Sequence, residues 1–231
     1  MRIKLWPFLA GGLLALCACS SSNNASSAPT ASRTIATAPP AQTAIIAART
    51  PGAPALATPA PAPADVTRLT EQVRLKITEL PQGFSFGQFA GYQANEAAVT
   101  GFDDPQGVFN RMNSTGRLGG YVQSLVAPDS SGASYTIDVW KETAGATSYF
   151  DQYPRPDKSL TYQAIDLPRP LGDQSLAYQY QANGQTGYAV AWRRGRLILG
   201  AGELFMPGKE SIDKLMPLIT ALDQKAQAAQ Q

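Results

Sequence analysis

QANGQTGYAVAWRRGRLILGAGE, residues 181–203, is the stretch on which the fold turns. Two turn signals, ANGQ and RRGR, divide it into strands at residues 186–193 and 196–203, and a further strand reads at 175–181. Asn183-Gly184 is the strongest short-range hairpin signal, because a two-residue turn that matches strand twist needs positive φ at its centre. Three consecutive strands joined by short turns make an antiparallel meander.

Outward from this meander, residues 211–227 place Ile212, Leu215, Met216, Ile219 and Leu222 on one helical stripe. Pro217 lies within that run and is expected to kink the helix, because it lacks the N–H that would bond the carbonyl four residues back. Towards the N-terminus, residues 120–127 and 134–141 flank the turn PDSSGA, with Tyr135, Ile137 and Val139 alternating against Thr136, Asp138 and Trp140. This predicts a second hairpin. Residues 142–153 then carry Ala146, Tyr149, Phe150 and Tyr153 at helical spacing, and Pro154 and Pro156 stop the helix.

Asp104-Pro105 reads as an N-cap and first helical residue, with Val108, Phe109 and Met112 on one face and Gly116 at the end. Earlier still, Val66, Leu69 and Val73 have helical spacing while Val73, Leu75 and Ile77 alternate, which predicts a short helix running into an extended segment. The expected fold is α+β: an antiparallel β-sheet with helices packed on one face, in a single domain over residues 65–231. Strands followed by a helix occur at 118–153 and again at 175–227; covering one sheet face accounts for this without a duplication.

The N-terminus is of another character. Arg2 and Lys4 precede residues 5–16, which carry no charge, the pattern of an export signal. The run is shorter than the ~20 residues a membrane-spanning helix needs. The only two cysteines follow, in Leu16-Cys17-Ala18-Cys19. These four residues resemble the lipobox of bacterial lipoproteins, with Leu16 three before the modified cysteine and Ala18 just before it. Modification at Cys17 instead would place the large Leu16 next to the cleaved bond. The resemblance implies removal of residues 1–18, attachment of a diacylglycerol to Cys19, and an extracytoplasmic protein held on a bacterial cell membrane or outer membrane by its acyl chains. Two or three chains give a stable anchor where one holds marginally.

Residues 19–64 then read as the lipidated end and a disordered tether, since residues 20–64 contain no acidic residue and consist almost entirely of Ser, Ala, Thr, Pro and Asn. At about 3.1 Å per residue the tether extends to roughly 140 Å, or roughly 35–40 Å as a coil.

This reading excludes several kinds of chemistry. The chain carries 19 Lys and Arg against 17 Asp and Glu, and loss of Arg2 and Lys4 with the signal leaves it neutral, so its charge gives no reason to expect a nucleic-acid partner. With Cys17 removed and Cys19 acylated, no thiol is left, and histidine is absent from the sequence. Triads and zinc sites that need those residues are excluded, and no cofactor or metal is expected.

What remains is carboxylates, aromatics and one basic turn. Asp103 and Asp104 suit a helix cap better than a calcium loop, whose oxygen spacing is missing. Asp138, Glu142, Asp166, Asp173 and Glu203 contain the material for a glycosidase pair, and solvated positions explain them more simply. Trp192-Arg193-Arg194-Gly195-Arg196 is the one basic cluster, expected as a hairpin tip that could meet an anionic partner. Alternation sends Trp140 to the face away from the helices, where an open ring suits stacking or protein contact.

Trp140, Trp192, Arg193, Arg194 and Arg196 are therefore the candidate contacts for a ligand. The expected function is non-catalytic binding of a small-molecule or glycan ligand, envelope component or protein partner by a membrane-anchored lipoprotein. A carboxylate-dependent hydrolase of envelope polysaccharide and a structural or assembly lipoprotein are the alternatives. The LPQGF, GRLGGY, LGDQS and WRRGR segments also resemble small sensor or ligand domains of other bacterial lipoproteins, a likeness that implies no particular activity.

Overall fold

A computed structural model describes residues 62–231 except 101, 103, 130, 154–161 and 183. The export signal, Cys19, the tether and Asp103 lie outside the described residues. The described elements are α1 (Ala64–Val73), β1 (Ser85–Gln93), α2 (Asn95–Ala98), α3 (Pro105–Ser114), β2 (Arg117–Val126), β3 (Gly132–Trp140), α4 (Thr143–Asp151), β4 (Tyr162–Ala164), β5 (Gln174–Ala182), β6 (Gln185–Arg194), β7 (Leu197–Leu204) and α5 (Ile212–Ala228). A 3₁₀ turn, Ile77–Glu79, follows α1.

The seven strands form one antiparallel sheet in the order β1-β2-β3-β7-β6-β5-β4. The α+β architecture expected from the sequence is thus the one observed. The hairpins form where the turn signals placed them: Ala182 pairs with Gln185 around Gly184, whose φ is +76°, and Gly195, at φ +54°, turns β6 into β7. Positive φ costs a residue with a Cβ, which is why glycine holds both corners.

Helices cover both faces of the sheet rather than one. Val66, Leu69 and Val73 of α1 and Leu215, Leu218, Ile219 and Leu222 of α5 pack on Tyr135, Ile137, Val139, Val190, Trp192, Leu197 and Leu199. On the opposite face, Val108 and Met112 of α3 and Ala146, Tyr149 and Phe150 of α4 pack on Trp140, Ala191 and Ile198. Alternation makes this necessary: Leu197, Ile198 and Leu199 are all apolar and all buried, so β7 needs cover on both sides.

The two-sided packing also separates the two strand-then-helix units. Exchanging the antiparallel neighbours β3 and β7 requires a two-fold axis normal to the sheet, which keeps each helix on its own face. Because α4 and α5 lie on opposite faces, the two units are not copies related by that axis.

Two strands go beyond the sequence reading. β1 is an edge strand whose register slips between Phe86 and Ala90. There the Ser124 hydroxyl donates to the Phe89 carbonyl and accepts from its N–H, both at 2.9 Å, in place of backbone partners. β4, only three residues long, forms the other edge.

The caps are as the sequence implies. Asp104 accepts from Gly107 N at 2.9 Å ahead of Pro105, and Ser211 accepts from Asp213 N at 3.2 Å to start α5. α5 runs unbroken through Pro217, whose ring is on the exposed side of the helix, opposite the buried stripe.

Candidate functional site

The basic turn is tied into the domain by acids from three separate segments: the loop before β5, α5 and α1. Arg193 donates from Nη1 to Asp173 Oδ2 at 2.8 Å and to the Gly195 carbonyl at 3.1 Å, and from Nε to Gln174 Oε1 at 2.8 Å. Arg194 grips Asp223 of α5 with both Nε and Nη2, at 2.9 and 2.8 Å. The Asp223 carboxylate holds the Arg194 guanidinium above its ordinary pKa by hydrogen bonding. Arg196 reaches Asp65 of α1 at 3.5 Å. Each cation in this cluster thus faces an acid of the same chain, and Arg193 is only 8% exposed.

Both tryptophans are interior. Trp140 is 1% exposed, donates from Nε1 to Thr115 Oγ1 at 3.1 Å and stacks obliquely on Tyr149 with ring centroids 5.0 Å apart. Alternation sends it to the side of the sheet away from α1 and α5, as expected, but α4 covers that side. Trp192 is fully buried under α5. The open aromatic face anticipated for Trp140 is therefore replaced by a second core.

The described carboxylates are dispersed in structural roles. Asp138 accepts from Arg117, whose side chain has no exposed surface; Nη2 of the same guanidinium lies near Gly120, leaving room for nothing larger than glycine there. Asp173 receives Arg193 and the Gly195 N–H, the latter at 2.8 Å. Glu142 is the N-cap residue of α4 and makes no side-chain cap bond, and Asp166 is exposed in the loop after β4. Glu203, by contrast, is 1% exposed, and burial raises its pKa. Among the described residues no three His, Cys, Asp or Glu side chains converge to hold a metal ion.

A concave surface lies elsewhere, along the outward face of α5. Its floor is Met216, Pro217, Thr220 and Ala221, its walls are Glu79 with Pro81 and Pro168 with Arg169, and its volume is about 620 Å³. Leu215, Leu218, Ile219 and Leu222 point the opposite way into the core, so α5 presents a second, half-apolar face outward. One wall is pinned by Lys225, whose Nζ contacts both Glu79 carboxylate oxygens at 2.9 and 2.8 Å. That ammonium holds the Glu79 carboxyl below its ordinary pKa. The other wall is pinned by Arg169, which donates to Thr220 Oγ1.

The trough offers rigid apolar contact from three prolines and a methionine. Its rim supplies donors from Arg169 and Gln224 and acceptors from Glu79 and Asp213. The Thr220 hydroxyl is itself bonded to the Met216 carbonyl at 2.7 Å. Such a surface can hold and orient a guest; no activated nucleophile with an adjacent base lines it. Sequence reading missed the trough because its two walls lie about 90 residues apart in the chain, and the nearer of them is still about 50 residues from the α5 floor. The available signal was Pro217, an exposed proline kept within a helix.

No family model matches the chain, and no curated protein matches it in sequence. Among solved structures, the extracellular domain of PknH from Mycobacterium tuberculosis is similar at a TM-score of 0.44 and 8% identity, over 71% of this chain and 96% of that one. Among the described residues no helix is long and apolar enough to cross a membrane.

Proposed function

We propose that this chain is a lipoprotein, anchored outside the cytoplasm through Cys19, whose domain binds an extended peptide segment of an envelope protein partner in the trough over α5 and performs no chemistry on it. The trough is the observation that carries this reading. From Asp213 to Gln224 it follows α5 for about 16 Å at 1.5 Å per residue. About five residues of extended chain cover that length. Proline faces and Met216 suit apolar side chains, while Arg169, Gln224, Glu79 and Asp213 are placed to meet peptide N–H and carbonyl groups at the rim. The Leu16-Cys17-Ala18-Cys19 resemblance supports the anchor, and the tether that follows it is long enough to let the domain stand clear of a lipid surface.

The test is capture from detergent-solubilised envelope with the wild type and with Ala221→Arg, which fills the trough from its half-exposed floor, the variant's fold being checked by its unfolding transition. A partner recovered with the wild type and lost with the variant is the expected result. Equal recovery by both removes the trough from the account. Labelled palmitate tests the anchor separately: incorporation by the wild type and Cys17→Ala but not by Cys19→Ala is expected, and incorporation by Cys19→Ala overturns it.

A further inference from the structure

Arg169 stands in one wall of the trough with proline on either side, in Pro168-Arg169-Pro170. Each proline fixes its own φ, and Pro170 also confines the residue before it to extended backbone. The side chain is fixed at its far end as well. Arg169 donates from Nη2 to Thr220 Oγ1, and the Thr220 hydroxyl gives its one proton to the Met216 carbonyl at 2.7 Å, so its oxygen is left to accept.

A guanidinium carries five N–H donors. The bond to Thr220 is the only one Arg169 makes among the described residues, and it faces no carboxylate there. Every other described arginine pairs with a carboxylate of the same chain except Arg111, which donates to the Gln152 carbonyl at 3.2 Å. Glu79, the acid of the opposite wall, is already held by Lys225 and does not compensate Arg169.

The floor carries a second uncompensated charge. Asp213 is exposed, forms no ion pair among the described residues, and touches only the Ser211 hydroxyl, at 3.4 Å, through its carboxylate. It precedes Thr220, where Arg169 is tied down, by about 10 Å along α5. About three residues of extended chain cover that distance.

We propose that Arg169 selects the occupant of the trough by a carboxylate: the bound segment presents an Asp or Glu side chain to Arg169 and, about three positions away, a Lys or Arg side chain to Asp213. This rests on the peptide reading of the trough and adds its charge pattern. A guanidinium held at both ends loses little freedom when a carboxylate docks, and a parallel pair of N–H···O bonds fixes where that carboxylate sits. Opposite charges at the two ends of the floor set the direction of the segment, because the reversed segment brings like charges together.

The probe is a library of random short segments displayed on a carrier and joined to it at their C-termini, so that a carboxylate comes only from a side chain. Segments are selected on the full chain purified in detergent, and those that Ala221→Arg no longer retains are assigned to the trough. The wild type should enrich Asp and Glu over Asn and Gln about tenfold at one position, with Lys or Arg about three positions away. Arg169→Glu should reverse the first preference to Lys and Arg, and Asp213→Asn should remove the second alone; both positions are exposed, and the melting transition checks that each variant is folded. Trough-dependent segments without an acidic preference, or with the same preference on Arg169→Glu, overturn the charge pattern and leave the trough standing. If no selected segment depends on the trough, the peptide reading and the charge pattern fall together.

Discussion

Arg194 at the end of β6 and Asp223 in α5 meet side by side, two nitrogens to two oxygens at 2.9 and 2.8 Å, with 20% and 15% of their side chains exposed. The pair fastens the β6–β7 turn to the helix that forms the floor of the trough. Charge-assisted bonds in this parallel geometry are the stronger kind. Arg194→Ala and Asp223→Ala should each cost about 2 kcal/mol, and the double variant should show a coupling of about 1–2 kcal/mol in denaturant unfolding. Additive losses would mean that the turn is held by something else.

The two tryptophans, for which sequence suggested ligand contact, should instead report on stability. Replacing either by alanine removes a ring from a packed core and is expected to cost about 3–5 kcal/mol. Phenylalanine separates them. Trp140→Phe also deletes the bond to Thr115, whereas the Trp192 Nε1 has no partner among the described residues. Thermal unfolding should therefore place Trp140→Phe about 1 kcal/mol below Trp192→Phe, and the reverse order would contradict the assigned roles.

Gly145 lies in the first turn of α4, where helix propensity alone favours alanine by about 1 kcal/mol. A Cβ there would meet the Thr115 carbonyl at the end of α3, and that oxygen belongs to the backbone and cannot swing away. Gly145→Ala should lower stability by about 1–3 kcal/mol, measured by denaturant unfolding. A stabilised variant would show that α3 and α4 are not in close contact.

Much of the fold was legible because the signals are local. β2, β3, β5, β6 and β7 show in alternation and glycine turns, and α3 and α5 in their caps and apolar stripes. β1 was not, because SFGQFAGYQ contains two glycines and a bulge that break the alternation at Phe89. β4 is too short to show a period.

The placement of helices on both faces was written in Leu197-Ile198-Leu199, an apolar run without alternation that a strand covered on one side does not need. The candidate site was the least legible part. The arginines of the basic turn look free in sequence because Asp173, Asp223 and Asp65 lie 20, 29 and 131 residues away from their partners. Likewise, the walls of the trough join α5 only through the tertiary fold, so no spacing rule reveals them.

Photocrosslinking in cells tests the central claim most directly. A photoreactive amino acid placed at Ala221, on the trough floor, is compared with one at Gln72, on the exposed side of α1. The account predicts a discrete adduct with one envelope protein from position 221, absent from position 72 and lost when Met216→Asp is added. No adduct from position 221, or the same adducts from both positions, would contradict a peptide-binding trough over α5.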